Sequence, residues 1–237
     1  MSLSEKLLSS FLAFELDINI QSPVHSKRTK ALKEFEKLGG FPTKKNEAWK
    51  YTSLKNIIKQ DYTIFSKKKN VLEFKNVKNY FLDNTETYKI VFVDGFFDPF
   101  LSQTSHDGLD ICILSAALTK PVYSNIISKY FNTSINKDDS LSQLNTAFSK
   151  EGVYIHIPKN KILDKPIEIL HFATGNEASL MLQPRNLIVI ENNKKYLRTI
   201  TDGDIRRDLL IYKNFKRKNL KHSIFKKENF ILRELKI

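Results

Sequence analysis

Cysteine is almost absent from this chain of 237 residues. Cys112 stands alone, so no disulfide can form within the chain and no closed thiolate zinc site can be built. Its apolar neighbours Ile111 and Ile113 mark it as a buried, protonated core thiol. Glycine is scarce, at seven residues. Neither a Gly-x-x-x-x-Gly-Lys loop nor a Gly-x-Gly-x-x-Gly turn occurs, which removes two common phosphate cradles. A Gly-x-Ser-x-Gly elbow for a nucleophilic serine is missing too. No apolar run approaches the ~20 residues that a membrane-spanning helix needs, and stretches such as Ile90-Val91-Phe92-Val93 are strand-sized. Near the start, Glu5 and Asp17 interrupt spaced leucines where a signal peptide needs a continuous apolar segment, so a cytoplasmic protein is expected.

Arginine is also sparse, with 7 residues against 32 lysines, and this shapes the reading of the net charge of +13. A basic field supplies the non-specific part of nucleic-acid binding. Phosphate and base recognition, however, favours the planar fork of arginine. The excess therefore reads as solvated surface lysine, and a nucleic-acid-binding protein is the alternative rather than the expectation. The charge is uneven: residues 196–237 carry 12 basic and 5 acidic side chains, a net +7 of the +13. That basic tail has one glycine and no proline, and its scattered apolar residues follow a largely helical idiom. It is expected to dock on the preceding strands or to be poorly ordered.

What is present reads as helices first and strands later, an α+β arrangement. Leu3, Leu7, Leu8, Phe11 and Leu12 recur at helical spacing. A second helix is expected with Ser22 as N-cap and Pro23 at its first position, carrying Ala31, Leu32, Phe35 and Leu38 and stopping at Gly39-Gly40. Residues 1–85 are thus assigned to an N-terminal helical domain. Residues 86–195 form the core that follows. Strands are expected at Tyr88–Val93, before the turn Asp94-Gly95, and over 109–114. Helices follow near 115–131, started or kinked by Pro121, and 140–149. Beyond Gly152, short strands are expected near 153–157, 167–172, 179–183 and 187–191, separated by Pro158, Pro166 and Pro184. That spacing suits a sandwich, a barrel or a β-solenoid, and pattern alone leaves the three open.

Residues with chemistry are dispersed. His25, His106, His156, His171 and His222 lie far apart, and only His156 and His171, expected on neighbouring strands, invite pairing. Alternation sends them to opposite faces, which excludes a shared metal. Asp138-Asp139 and the pair Asp202 and Asp204 read as solvated loop carboxylates. Trp49, between Glu47 and Lys50-Tyr51, could stack on bases, but anchoring a helix to its neighbouring domain is the preferred reading. No catalytic, cofactor-binding or metal-ligating residue is assigned.

Several longer words then carry a resemblance. They are Arg28 with Ala31-Leu32 and Phe35, Gly40-Phe41-Pro42-Thr43, and Lys45, Glu47 and Trp49-Lys50-Tyr51-Thr52. Next come Val93-Asp94-Gly95-Phe96 with Leu101-Ser102, Leu144-Asn145-Thr146-Ala147-Phe148, Gly152-Val153, Ile155-His156-Ile157-Pro158 and Pro166-Ile167, and finally Pro184-Arg185-Asn186-Leu187-Ile188-Val189. In this order, from about residue 28 to 191, the chain resembles the SufB/SufD family of the SUF iron-sulfur cluster assembly machine, its SufD branch more than SufB. The resemblance implies a non-catalytic scaffold with an N-terminal helical domain, a right-handed parallel β-helix and a small C-terminal helical domain. It implies SufB and the ATPase SufC as partners of a SufBCD complex. Clusters are assembled with SufB, and no cofactor is carried over to this chain. Glu47, Trp49, Lys50, Tyr51, Asn145, Gly152, Pro158 and Pro166 belong to the shared words without a role assigned by them.

Family members are usually longer, and the resemblance fades near Glu191. The expectation is therefore a truncated copy holding the first coils of the β-helix, without the C-terminal domain that binds SufC. The tail segment Arg198-Thr-Ile-Thr-Asp-Gly-Asp-Ile-Arg-Arg-Asp208 looks like a turn of CBS nucleotide-sensing modules, which supplies a second alternative.

Overall fold

The structure is a computed structural model. It describes residues 3–18, 21–64, 71–82, 85–104, 109–132, 139–159, 163, 165–174 and 179–191, together with three strands at 200–201, 209–212 and 230–236.

Helices come first. Leu3–Asp17 forms α1 and buries Leu3, Leu7, Phe11 and Phe14 along one stripe. His25–Lys37 forms α2, which buries Ala31, Leu32 and Phe35. It begins later than the Ser22-Pro23 signal suggests. Ser22–His25 is instead a turn closed by the His25 N–H donating to the Ser22 carbonyl at 2.9 Å, and this turn fully buries Val24. The stop is as expected: Gly39 and Gly40 have φ of +86° and +76°, and the Gly40 N–H returns to the Phe35 carbonyl at 2.9 Å. Two short helices follow, Lys55–Ile58 (α3) and Phe74–Val77 (α4).

Strands Tyr88–Val93 (β1) and Phe96–Phe97 (β2) make a hairpin over Asp94-Gly95, whose φ values of +48° and +84° explain that residue pair. Asp110–Ile113 is β3. Leu114–Thr119 (α5) and Pro121–Tyr130 (α6) split the helical stretch at Pro121, which occupies the first turn of α6. Ser140–Phe148 is α7, capped by the Asp139 carboxylate, which accepts from the Leu141 N–H at 3.1 Å. Then come Val153–Ile157 (β4), Ile167–Ala173 (β5) and Leu187–Ile190 (β6), followed by Ile200–Thr201 (β7), Leu209–Tyr212 (β8) and Phe230–Lys236 (β9).

Two sheets result, ordered β2-β1-β5-β9-β7 and β3-β4-β6-β8. From β4 to β9 consecutive strands alternate between them, and each of β5, β6, β8 and β9 lies parallel on an earlier strand of its own sheet. In the first sheet Ile90 pairs with Ile169 and Phe92 with His171; in the second, Ile155 pairs with Ile188. Matched registers stack like residues above one another. The inner faces meet in one core: Ile90, Phe92, Ile167 and Ile169 oppose Val153, Ile155, Ile157 and Ile188. Both outer faces are covered as well. Val91, Val93, Leu170 and Phe172 pack under Val77, Phe81 and Leu101, while Tyr154, Leu187 and Val189 pack against α5 and α6 through Leu114, Ala117 and Ile127. This explains why the strands read as nearly continuous apolar runs.

α7 packs on α2 and α1, so the core of the N-terminal helices includes Leu144, Ala147 and Phe148. Two further expectations fail. Residues 179–183 form no strand; Leu180 makes a single bridge to Thr63, with the Thr63 N–H donating to Ser179 and the Met181 N–H to Thr63. The positive φ of Ser179, +54°, breaks extended geometry there. Within the described residues of the tail the helical reading is corrected too: β8 and β9 extend the parallel ladders on β6 and β5, because a ready strand partner overrides local helical preference.

Candidate functional site

Residues 1–195 contain two arginines, Arg28 and Arg185, and both are buried, 2% and 3% exposed. They flank one ring. The guanidinium carbons lie 5.7 Å and 5.3 Å from the centroid of Phe131, and Arg28 is also 5.9 Å from Phe14. Arg28 donates from Nε and Nη2 to the Ser149 carbonyl at 3.1 and 2.9 Å, which holds the end of α7. Burial pulls this guanidinium down to about 10, partly opposed by the carboxylate of Glu151. Arg185 donates from Nη1 to Asn145 Oδ1 at 2.8 Å and to Thr146 Oγ1 at 3.0 Å. Asn145 Nδ2 in turn donates to the Pro184 carbonyl at 3.0 Å and to Gln183 Oε1 at 3.2 Å.

Gly152 sits where this clamp meets the sheet. A Cβ there would lie 1.9 Å from the Arg185 carbonyl oxygen, so only glycine lets the two backbones cross. The crossing is stitched on both sides. The Arg185 N–H donates to the Glu151 carbonyl at 3.0 Å, the Leu114 N–H to the Gly152 carbonyl at 2.9 Å, and the Val153 N–H to Asn186 Oδ1 at 2.9 Å. Burial raises the Glu151 carboxyl, against hydrogen bonds from Ser115 and Gly152 that lower it. Thus Arg28, Asn145, Gly152, Arg185 and Asn186, scattered in sequence, form one junction between α2, α7 and the strands.

Pro158 ends β4 and Pro166 precedes β5, and the Pro166 carbonyl accepts from the Tyr88 N–H at 2.8 Å to start the β1–β5 ladder. Beside it Glu168 is fully buried; it accepts from the Leu82 N–H at 3.1 Å and from Thr87 Oγ1 at 2.9 Å.

Glu47, Trp49, Lys50 and Tyr51 lie elsewhere, on a short 3-10 turn, Glu47–Trp49, and the residues after it. Tyr51 is 92% exposed, whereas Trp49 is half-buried. Lys50 Nζ lies 5.7 Å from the Tyr51 ring.

His156 and His171 are not on neighbouring strands; β4 and β5 belong to different sheets. His171 faces the inter-sheet core and stacks on Phe92 at 4.7 Å, and burial lowers it to about 4, which keeps it neutral. His156 lies on the outer face, its Nδ1 3.3 Å from Asp110 Oδ2 and its Nε2 3.3 Å from Glu191 Oε1. Sequence reasoning missed this trio, because the flanking acids come from β3 and from the end of β6. Each ring nitrogen meets a different carboxylate, and among the described residues no group of three or more His, Cys, Asp or Glu side chains could hold a metal. Cys112 is half-buried rather than the fully buried core thiol expected, and burial pushes its thiol up. No helix of the described residues is long and apolar enough to cross a membrane. The turn with Asp202 and Asp204 lies outside the described residues, as do His106 and His222.

Comparison with known proteins adds two findings. An iron-sulfur cluster assembly SufBD family protein of Synechocystis sp. is 29% identical over 160 residues, covering 65% of this chain and 33% of that protein, so the chain matches about a third of the length of this curated relative. A family model described as the SufBD protein N-terminal region matches residues 1–169, the stretch holding Arg28, the exposed aromatic turn, Asn145 and Gly152, and this chain therefore belongs to the SufBD family.

Proposed function

We propose that this chain works in iron-sulfur cluster assembly as a non-catalytic scaffold of the SufD kind, in a complex with SufB and SufC, with the cluster as cargo. The observation that carries the reading is the family match across residues 1–169. The strands of the two sheets, which alternate in sequence and stack in parallel, support a further proposal: they are the first coils of a parallel β-helix, right-handed as in the resembling family. A scaffold needs rigid geometry rather than a reactive centre. The buried junction around Gly152 supplies rigidity, since it ties the helices to the strands through two arginines and two asparagines. The nucleic-acid reading has weaker support, because the arginines of residues 1–195 face inward.

The test is co-expression of the tagged chain with SufB and SufC from one cell, followed by affinity purification and reconstitution with iron and sulfide. Retention of SufB, and cluster formation that depends on the mixed complex, is the expected result. A folded chain that retains neither partner would remove the proposal.

A further inference from the structure

The strand-rich half and the buried junction leave the segment from Thr43 to Lys59 unexplained. It is held at both ends. Phe41 packs edge-on to Phe35 at 5.4 Å, and Ile58, Tyr62 and Ile64 join the core of the N-terminal helices. Between these anchors the backbone folds on itself. The Thr43 N–H donates to Asn46 Oδ1 at 2.8 Å, Asn46 to the Thr43 carbonyl at 2.9 Å, Trp49 to Asn46 at 2.8 Å, and Thr52 to Trp49 at 3.0 Å. The loop is thus ordered by its own hydrogen bonds while Tyr51 remains 92% and Ile57 48% exposed, with Trp49 only half-buried.

Holding aromatic side chains in water adds little to stability, whereas Trp and Tyr on a pre-ordered backbone are the residues that dominate binding interfaces. The charge around them has one sign. Lys44, Lys45, Lys50, Lys55 and Lys59 face a single acid of the segment, Glu47. Among the described residues, lysine ion pairs engage Lys6, Lys37, Lys75 and Lys165, and none of these five.

We propose that the exposed segment Thr43–Lys59 is a docking surface for an acidic, apolar-centred segment of a partner protein. Trp49 and Tyr51 supply the apolar contact and the five lysines the charge complementarity. A polypeptide suits the surface better than nucleic acid: the segment has no arginine for bidentate phosphate contacts, and Glu47 lies in its middle. The inference stands apart from the scaffold reading, because it rests on this surface alone.

The test uses the full chain and fluorescence anisotropy with two probes: a short acidic peptide with a central leucine and phenylalanine, and a single-stranded oligonucleotide of equal charge. Trp49→Ala, Tyr51→Ala and Lys50→Gln are each expected to weaken the peptide about tenfold. The control Lys30→Gln/Lys33→Gln, on the exposed side of α2, should change it by less than about twofold, the size of a distant rim charge. Tyr51→Ala and Lys50→Gln should melt with the parent, since both side chains are solvent-facing. The proposal is overturned if the peptide does not bind, if the control weakens it equally, if the oligonucleotide depends on Trp49 and Tyr51 as strongly, or if Tyr51→Ala or Lys50→Gln lowers the melting temperature and so marks the segment as structural.

Discussion

At the scale of single residues, Gly152 and His171 carry the sharpest consequences. A methyl group at position 152 would sit 1.9 Å from the Arg185 carbonyl oxygen, and backbone cannot yield as a flexible side chain can. Gly152→Ala is therefore expected to cost about 3 kcal/mol or more, at the upper end of overpacking penalties, and a urea titration of both proteins measures it. The sequence places Gly152 in a word shared with the family, but its physical reason, the crossing of the chain segment at Arg185, was not visible there. His171 is neutral in the core, with its folded value lowered to about 4 against the ordinary 6.5. The unfolded chain therefore binds more protons between those values. The stability due to a neutral His171 is complete above about pH 6.5 and is lost as pH falls toward 4, a change of about 3 kcal/mol. Unfolding midpoints measured across that range should show the loss, and His171→Leu should flatten it.

At the scale of elements, α7 matters because its last turns present Asn145 and Thr146 to Arg185. Its N-terminus depends on Asp139, which caps Leu141 and accepts from Ser142 Oγ at 2.5 Å. Asp139→Ala should lower stability by about 1 kcal/mol, read as a shift in thermal midpoint, while Asp139→Ser recovers most of it. Periodicity and punctuation placed α7, α6 behind Pro121 and five of the strands within a residue or two. They misplaced the start of α2, because burial of Val24 draws the preceding turn inward. They also made a strand of 179–183, whose apolar residues serve a bridge to Thr63 instead.

At the scale of the whole molecule, stability rests on a core shared by two sheets whose neighbouring strands are distant in sequence. β1 pairs with β5 across the whole of β3 to β4 and three helices. Ile169, 3% exposed, faces that core, and Ile169→Ala should cost about 3 kcal/mol, the usual penalty for a buried aliphatic truncation. Because both sheets line the core, the far-ultraviolet and aromatic near-ultraviolet dichroism of this variant should be lost at the same denaturant concentration; transitions that do not coincide would show that the core does not unfold as one unit. By itself the sequence determined the α+β order, the absence of common nucleotide cradles and a disulfide framework, and the family, since each follows from residue type, local period or ordered words along the chain. Only the tertiary structure decided that the two arginines of residues 1–195 are internal, that Tyr51 faces solvent, and that His156 and His171 belong to different sheets. Those facts depend on which distant segments meet, and burial is a property of that meeting rather than of any stretch of residues.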